Sequence, residues 1–352
     1  MSEQKDTAAL INVALSLLIV TLTWYLLQQL SSLLRPLMLA VFLAYIILPI
    51  HHKLHKIRGP VAIVVRAGLS IGVLYVLTLW IYTSVVDLSE ELPRLSTRAR
   101  EVYDGVNRFF TEHLSWLTYR TEAGAAGGQE NQRLGSIANA LVNAATESLS
   151  EALVVGFYLL FLLLEVHRFP QRVRSGFTGE RAAQILEVAG RVNGAIANYL
   201  KAKVQASLIL AMPVTLVLWA SGIKFAIMWG VLTFMCNFVP YLGSIVAVTL
   251  PLAFAFLDPD LYPGARPFLA AAGVLTTHLV VTYLVEPMIT SRAVGLSPLV
   301  ILFSLAFWGH CWGFIGMFLA VPLTVMVKIV LENMPFTRPF AELLGDRLTA
   351  EP

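Results

Sequence analysis

The chain has 352 residues, of which 57% are hydrophobic and 13% charged, with a mean hydropathy of +0.72 and a formal net charge of +3. Soluble domains carry roughly 25% charged residues, so there is too little polar material here to cover a water-facing surface, which excludes a soluble enzyme, a disordered scaffold and a nucleic-acid-binding domain. Cys236 and Cys311 both sit in apolar stretches, so neither a disulfide framework nor a zinc cluster is expected. The fold class is an all-α polytopic membrane protein.

A membrane crossing needs roughly 20 helical residues. Eight apolar segments meet that need, at 8–30, 32–50, 61–86, 148–166, 204–221, 225–257, 267–285 and 298–331. The first leads straight into the second without an Ala-x-Ala cleavage pattern and reads as an uncleaved helix rather than a signal peptide. The loop 51–60 carries Lys53, Lys56 and Arg58 with no acid. Segment 167–203 carries Arg168, Arg172, Arg174, Arg181, Arg191, Lys201 and Lys203 against Glu180 and Glu187. By the positive-inside rule both stretches are cytoplasmic, which puts both termini there too. His51, His52 and His55 could place two imidazoles on one helix face, but with no nearby carboxylate or cysteine no metal site is expected.

The insertion 87–147 falls on the opposite side. Its apolar residues Leu88, Leu92, Leu95, Ala99, Val102, Val106 and Phe109 alternate at four and three, an a/d seam with charged residues between. Residues 118–132, with Gly124, Gly127 and Gly128, break the pattern as a flexible tip, and a stripe from Leu134 leads back to the next span. The pattern predicts an antiparallel helical arm whose seam is covered by its own return helix or by a neighbouring subunit's arm. Segment 168–200 is basic, with Ile185, Val188, Val192, Ile196 and Tyr199 at helical spacing, and reads as a helix lying in the cytoplasmic headgroup layer. The organisation is then 1–86, three helices; 87–147, the arm; 148–203, the fourth span and the basic helix; 204–331, a core with broken helices; and 332–352, a tail.

Segments 225–257 and 298–331 are too long for one crossing, at about 50 Å each as uninterrupted helices. Each contains its own break. The first has Asn237-Phe238-Val239-Pro240-Tyr241-Leu242-Gly243, and the second has Trp308-Gly309-His310-Cys311-Trp312-Gly313 ahead of Gly316 and Pro322. Broken helices at membrane depth persist where the freed backbone is buried in protein or lines a wet cavity, and such breaks build the solute sites of secondary transporters. Each segment is a re-entrant hairpin or a kinked span. As hairpins, the first enters from outside and the second from inside.

With Asn237-Phe-Val-Pro240-Tyr-Leu-Gly243, Glu286-Pro287, Leu296-Ser297-Pro298, Trp308-Gly309, Gly313, Gly316-Met317 and Ala320-Val321-Pro322 in this order, the chain resembles the autoinducer-2 exporter-like (AI-2E) family of bacterial inner-membrane proteins. Arg35-Pro36, Pro49 and Tyr199-Leu200 also match, and the likeness runs from about residue 10 to 331. It implies eight membrane segments, a helical arm, homo-oligomers with a pentamer among the options, and export of small polar molecules by an elevator-like movement. It does not fix the substrate, since members are linked to autoinducer-2, to sodium/proton exchange, or only to permease function.

Among single residues, Glu286 before Pro287 ends an apolar crossing and is a candidate coupling carboxylate for a proton or sodium ion; its alternative is an interfacial acid capping a neighbouring half-helix or pairing with Arg292. Asn237, Pro240, Tyr241 and Gly243 form the first candidate solute contact, through an amide and freed carbonyls, or else a turn satisfied internally. Ser297 and Pro298 serve the second break similarly or act as a helix cap. Thr277 and His278 lie mid-span, and Gly309, His310 and Gly313 surround the second break; either histidine relays protons or is a neutral packed side chain. The spacings Gly309–Gly313 and Gly68–Gly72 suit close helix packing. No catalytic, nucleotide-binding or cofactor motif occurs, so neither an enzyme nor a bound cofactor is expected. The reading is a secondary transporter, in contact with the lipid bilayer and a small polar solute, with a monovalent-cation/proton antiporter and a non-transporting scaffold as its alternatives.

Overall fold

The fold comes from a computed structural model that describes residues 14–15, 18–19, 21–53, 60–113, 127–166, 168–258, 264–290, 295–334 and 337–345. The described residues are helical, and their one β-type contact is an isolated antiparallel bridge between Leu296 and Gly345. In chain order the helices are α1 (Thr21–Gln29), α2 (Ser31–Lys53), α3 (Pro60–His113), α4 (Gly127–Glu165), α5 (Phe169–Gly176) and α6 (Gly179–Ala220). They continue with α7 (Ala226–Cys236), α8 (Leu242–Leu257), α9 (Arg266–Val280), a π-helical turn (Val281–Val285), α10 (Glu286–Thr290), α11 (Pro298–Glu332) and α12 (Arg338–Leu344).

Four stretches among the described residues are long and apolar enough to cross a membrane: Asn139–Glu165, Gly179–Ala220, Arg266–Ile289 and Pro298–Glu332. The pair α1 and α2, bent by 81° at Leu30, makes a fifth if taken as one span. The chain is therefore a multi-pass membrane protein, and the described residues do not confirm the expected count of eight. One cause is plain in the first broken segment, where 225–257 resolves into α7 and α8, of 11 and 16 residues. At 1.5 Å per residue these measure about 16 and 24 Å, short of the roughly 30 Å hydrocarbon core.

Two compact units divide the chain. One comprises Met1–Ile57, Phe157–Ile196 and Gly295–Pro352, and the other Arg58–Gly156 and Ala197–Val294. In the second unit α7 and α8 form a true hairpin. Phe225 and Trp229, at the start of α7, each place their rings 5.7 Å from Phe254 near the end of α8. At the tip, a Cβ on Gly243 would lie 1.7 Å from the Cys236 carbonyl oxygen, so only glycine lets the limbs meet.

The first unit holds a hairpin as well, concealed inside α11. Gly313 has φ 64° and ψ −142°, which no helix contains. Beyond it the chain runs back: Trp308 Nε1 donates to Thr324 Oγ1 at 3.2 Å, and a Cβ on Gly316 would lie 1.8 Å from the Trp308 carbonyl oxygen. Both long segments are thus hairpins of half-length helices, one of the two geometries their length and breaks allow. Trp24 of α1 packs on the second hairpin, 5.1 Å from Phe307, and Trp312 Nε1 donates to the Leu27 carbonyl at 3.2 Å.

The described residues bear on several expectations. Of the basic segment 168–200, Phe169–Gly176 forms the short helix α5, and the part from Gly179 onward is continuous with the next span in α6. Gly68 and Gly72 meet nothing within 4 Å among the described residues, whereas Gly230 and Gly273 are the glycines that let α7 and α9 press onto α6, at Thr215 and Val217. α3 runs unbroken through 61–86 into 87–113, which adds about 40 Å of helix. Its first seam residues, Leu88, Leu92 and Leu95, share one core with Val214 and Leu218 of α6 and with Trp229 and Phe254 of the hairpin. Leu141 of α4 joins them around an apolar groove of about 460 Å³. Of the expected tip 118–132, residues 127–132 open α4 and the rest lie outside the described residues, as do the side chains of Val102, Val106 and Phe109 and those of His51, His52 and His55.

Candidate functional site

The buried face of α6 reads Ile196, Tyr199, Leu200, Lys203, Ser207, Leu210, Val214 and Leu218. That three-and-four spacing is the stripe of a helix enclosed on one side. Within it, Tyr199, Lys203 and Ser207 follow at intervals of four, so they form one polar column on an otherwise apolar surface.

Lys203 is the centre of this column. Its Nζ donates to Glu286 Oε1, with the lysine side chain 8% exposed and the carboxylate side chain 19% exposed. Tyr199, buried, lies close enough to feel the Glu286 charge. A buried ion pair persists only where both partners stay in place, since removing one strands the other's charge. Glu286 thus pairs with Lys203, whereas Arg292 lies outside the described residues.

The backbone under Glu286 is unusual. The π-helical turn Val281–Val285 separates α9 from α10, which opens with Glu286 and Pro287. Proline has no N–H for the carbonyl one turn back, and its ring crowds that carbonyl. A widened turn directly upstream relieves both problems, and π turns recur at functional sites.

One turn along α6 from Lys203, Ser207 Oγ accepts from Asn237 Nδ2 at 3.0 Å, and both residues are buried. Asn237 sits where α7 ends and its own N–H donates to the Thr233 carbonyl at 3.0 Å. The hairpin tip then runs through half-buried Pro240 to Tyr241, which has φ 64°, a costly conformation for a tyrosine, and an exposed ring. The tip is therefore tied inward at Asn237 and open at Tyr241.

Thr277 and His278 behave oppositely. Thr277 Oγ1 donates to the Gly273 carbonyl at 2.7 Å, within its own helix. His278 continues the buried stripe Ala270–Val274 of α9, and neither of its ring nitrogens has a hydrogen-bond partner among the described residues.

The remaining candidates belong to the other compact unit. Ser297 is the N-cap of α11, its Oγ accepting from Val300 N at 3.3 Å, and Pro298 takes the first helical position. His310 is exposed and stacked on Trp24 with ring centroids 5.3 Å apart, while Gly309 faces Met317 across the second hairpin. Among the described residues no group of three metal-ligating side chains occurs.

These features are a buried ion pair in a membrane helix, two half-helix hairpins and a polar column. Residues 14–336 match the sequence profile of the AI-2E family transporter. The chain belongs to that family. Its relatives include the AI-2 transport protein TqsA of Escherichia coli, 29% identical over 323 residues that cover 90% of each chain. A Haemophilus influenzae protein carrying a transport-protein name is 30% identical over 88% of this chain and 89% of its own. A Mycobacterium tuberculosis relative named in the same way, MT0215, is 28% identical over 94% and 91%. Membership in this transporter family gives the chain a role in membrane transport.

For this AI-2E chain the structure joins Glu286 to Asn237 through α6, using two residues that sequence reasoning missed. In the sequence Lys203 reads as one of the loop cations that set orientation, and Ser207 lies within an apolar run. Their signal was present: both fall on the stripe that Ile196, Leu200, Leu210 and Val214 mark as buried, where a lysine needs a counter-charge.

Proposed function

We propose that this chain is a secondary transporter that exports a small polar solute across the bacterial inner membrane by alternating access, with both termini in the cytoplasm. One observation carries the reading: the Lys203–Glu286 ion pair, held inside a membrane helix pair beside a π-helical turn. A charge pair so placed is costly to desolvate, and ionisable residues within membrane helices are functional candidates by default. In this reading Glu286 is the coupling carboxylate, exchanging its bond to Lys203 for a proton as the protein changes state. Asn237 and the freed carbonyls at Pro240 and Tyr241 contact the solute. A half-length hairpin such as α7–α8 supports an elevator-like movement, because discontinuous helices build solute sites that one bundle can carry or gate without unwinding a full span.

The solute class is a neutral, hydroxyl-rich metabolite of the autoinducer-2 type. Support comes from the donors and acceptors at the first hairpin, and from TqsA, the relative named for AI-2 transport. The test is flux in proteoliposomes under an imposed pH gradient, following internal pH while autoinducer-2 and then sodium are offered. The reading expects a response to the organic solute that Glu286→Gln abolishes and Asn237→Ala reduces. A pH change driven by sodium alone would replace it with a monovalent-cation/proton antiporter.

A further inference from the structure

We propose that Lys203 selects the coupling ion: its ammonium is a tethered cation that occupies the Glu286 carboxylate and keeps free monovalent metal cations away from it. The proposal rests on the reading of Glu286 as the coupling carboxylate.

Without its ammonium, the neighbourhood of Lys203 would suit a small hard cation. The Glu286 carboxylate supplies the charge, and Tyr199 and Ser207, which carry hydroxyls, are the residues one helical turn to either side on the same buried face of α6, with the Ser207 oxygen held by Asn237 Nδ2 at 3.0 Å. Hard cations take oxygen ligands of this kind. Lysine's ammonium is itself a compact point charge with three donors, and its Nζ is bonded to Glu286 Oε1. A sodium or lithium ion arriving there would meet a positive charge already in place, at a site shut off from most screening by water. A proton is not excluded in this way, because it binds the carboxylate oxygen covalently and needs no coordination shell. When it does so the ammonium is released with its charge, and when it leaves the ion pair re-forms.

The experiment is thermal unfolding of the purified full-length protein in detergent at mildly alkaline pH. Sodium or lithium chloride is titrated against choline chloride at constant ionic strength. Wild type is expected to show no cation-specific shift. Lys203→Met is expected to gain a saturable rise of a few degrees with sodium or lithium, as binding to the folded state requires. Adding Glu286→Gln to that variant should remove the rise. A sodium-specific shift in wild type overturns the proposal by itself, and needs no variant that folds. So does a Lys203→Met protein no more responsive than wild type, or a rise that survives Glu286→Gln. If Lys203→Met does not fold, Lys203→Gln takes its place. Because the readout is binding, a silent flux assay would count against the transport reading without deciding this one.

Discussion

Trp308 and Thr324 share a hydrogen bond of 3.2 Å although sixteen residues separate them. In a straight helix that separation is about 24 Å, so the bond reports a chain that has turned back on itself. Thr324 Oγ1 also donates to the Ala320 carbonyl at 2.7 Å, which fixes the hydroxyl where the indole N–H can reach it. Removing the hydroxyl in Thr324→Val keeps the side chain's shape and strands a buried indole N–H, at a cost of about 1–3 kcal/mol. A lower melting temperature in detergent is the expected result, and an unchanged one would mean the bond contributes nothing.

Gly243 and Gly316 do the same work at the two tips, each lying against a carbonyl of the opposite limb. Gly243→Ala and Gly316→Ala should both force the limbs apart and cost at least about 1–3 kcal/mol. Gly68→Ala, with nothing within 4 Å among the described residues, serves as the control and should be neutral or slightly stabilising, because alanine favours helix over glycine by about 1 kcal/mol. Size-exclusion profiles after heating would rank the three proteins.

Breaking the ion pair from either side should be severe, whereas removing both charges should not. Lys203→Met or Glu286→Gln alone is expected to cost on the order of 3 kcal/mol, and the double variant much less. A double-mutant cycle on unfolding measures this directly. Additive losses would show that the two side chains act independently.

Ser207→Ala separates two roles of Asn237. It removes the acceptor of the amide but leaves the amide itself. If Asn237 contacts the solute, Ser207→Ala should cost stability of about 1 kcal/mol while retaining more transport than Asn237→Ala. Equal losses of flux would make Asn237 a structural residue only.

Lys328 clamps the loop ahead of the second hairpin. Its Nζ donates to the Gly295 carbonyl at 2.6 Å and lies 3.6 Å from Glu332, while Ser297 N donates to the Leu344 carbonyl at 3.3 Å. In Lys328→Met, amide hydrogen exchange at Leu296 and Ser297 should rise together with that of α12. If only the loop loosens, the tail is held by its own contacts.

The two helix breaks were legible because proline, glycine and an amide interrupt apolar runs that exceed one crossing. Glu286 was legible as an acid at the end of such a run. The count of spans was less legible, since apolar length and a break leave open whether a run crosses with a kink or turns back: Ala226–Cys236 and Leu242–Leu257 are half-length limbs, and only their packing shows the reversal. Lys203 was missed for a different reason. A lysine near a membrane boundary normally reports the cytoplasmic side, and only its phase on α6 reveals that it faces inward. The Gly68–Gly72 spacing shows where helices could approach, and among the described residues neither glycine has a neighbour within 4 Å.

The π-helical turn ahead of Glu286 gives the helix one residue of slack. A slip that passed this extra residue along the helix would rotate Glu286 by about 100° and advance it by about 1.5 Å. The carboxylate would then swing off Lys203 with the helix still straight and its ends fixed. In the proposed transport cycle, a π turn at this place offers a screw motion, rather than a bend, as the route by which the carboxylate leaves Lys203.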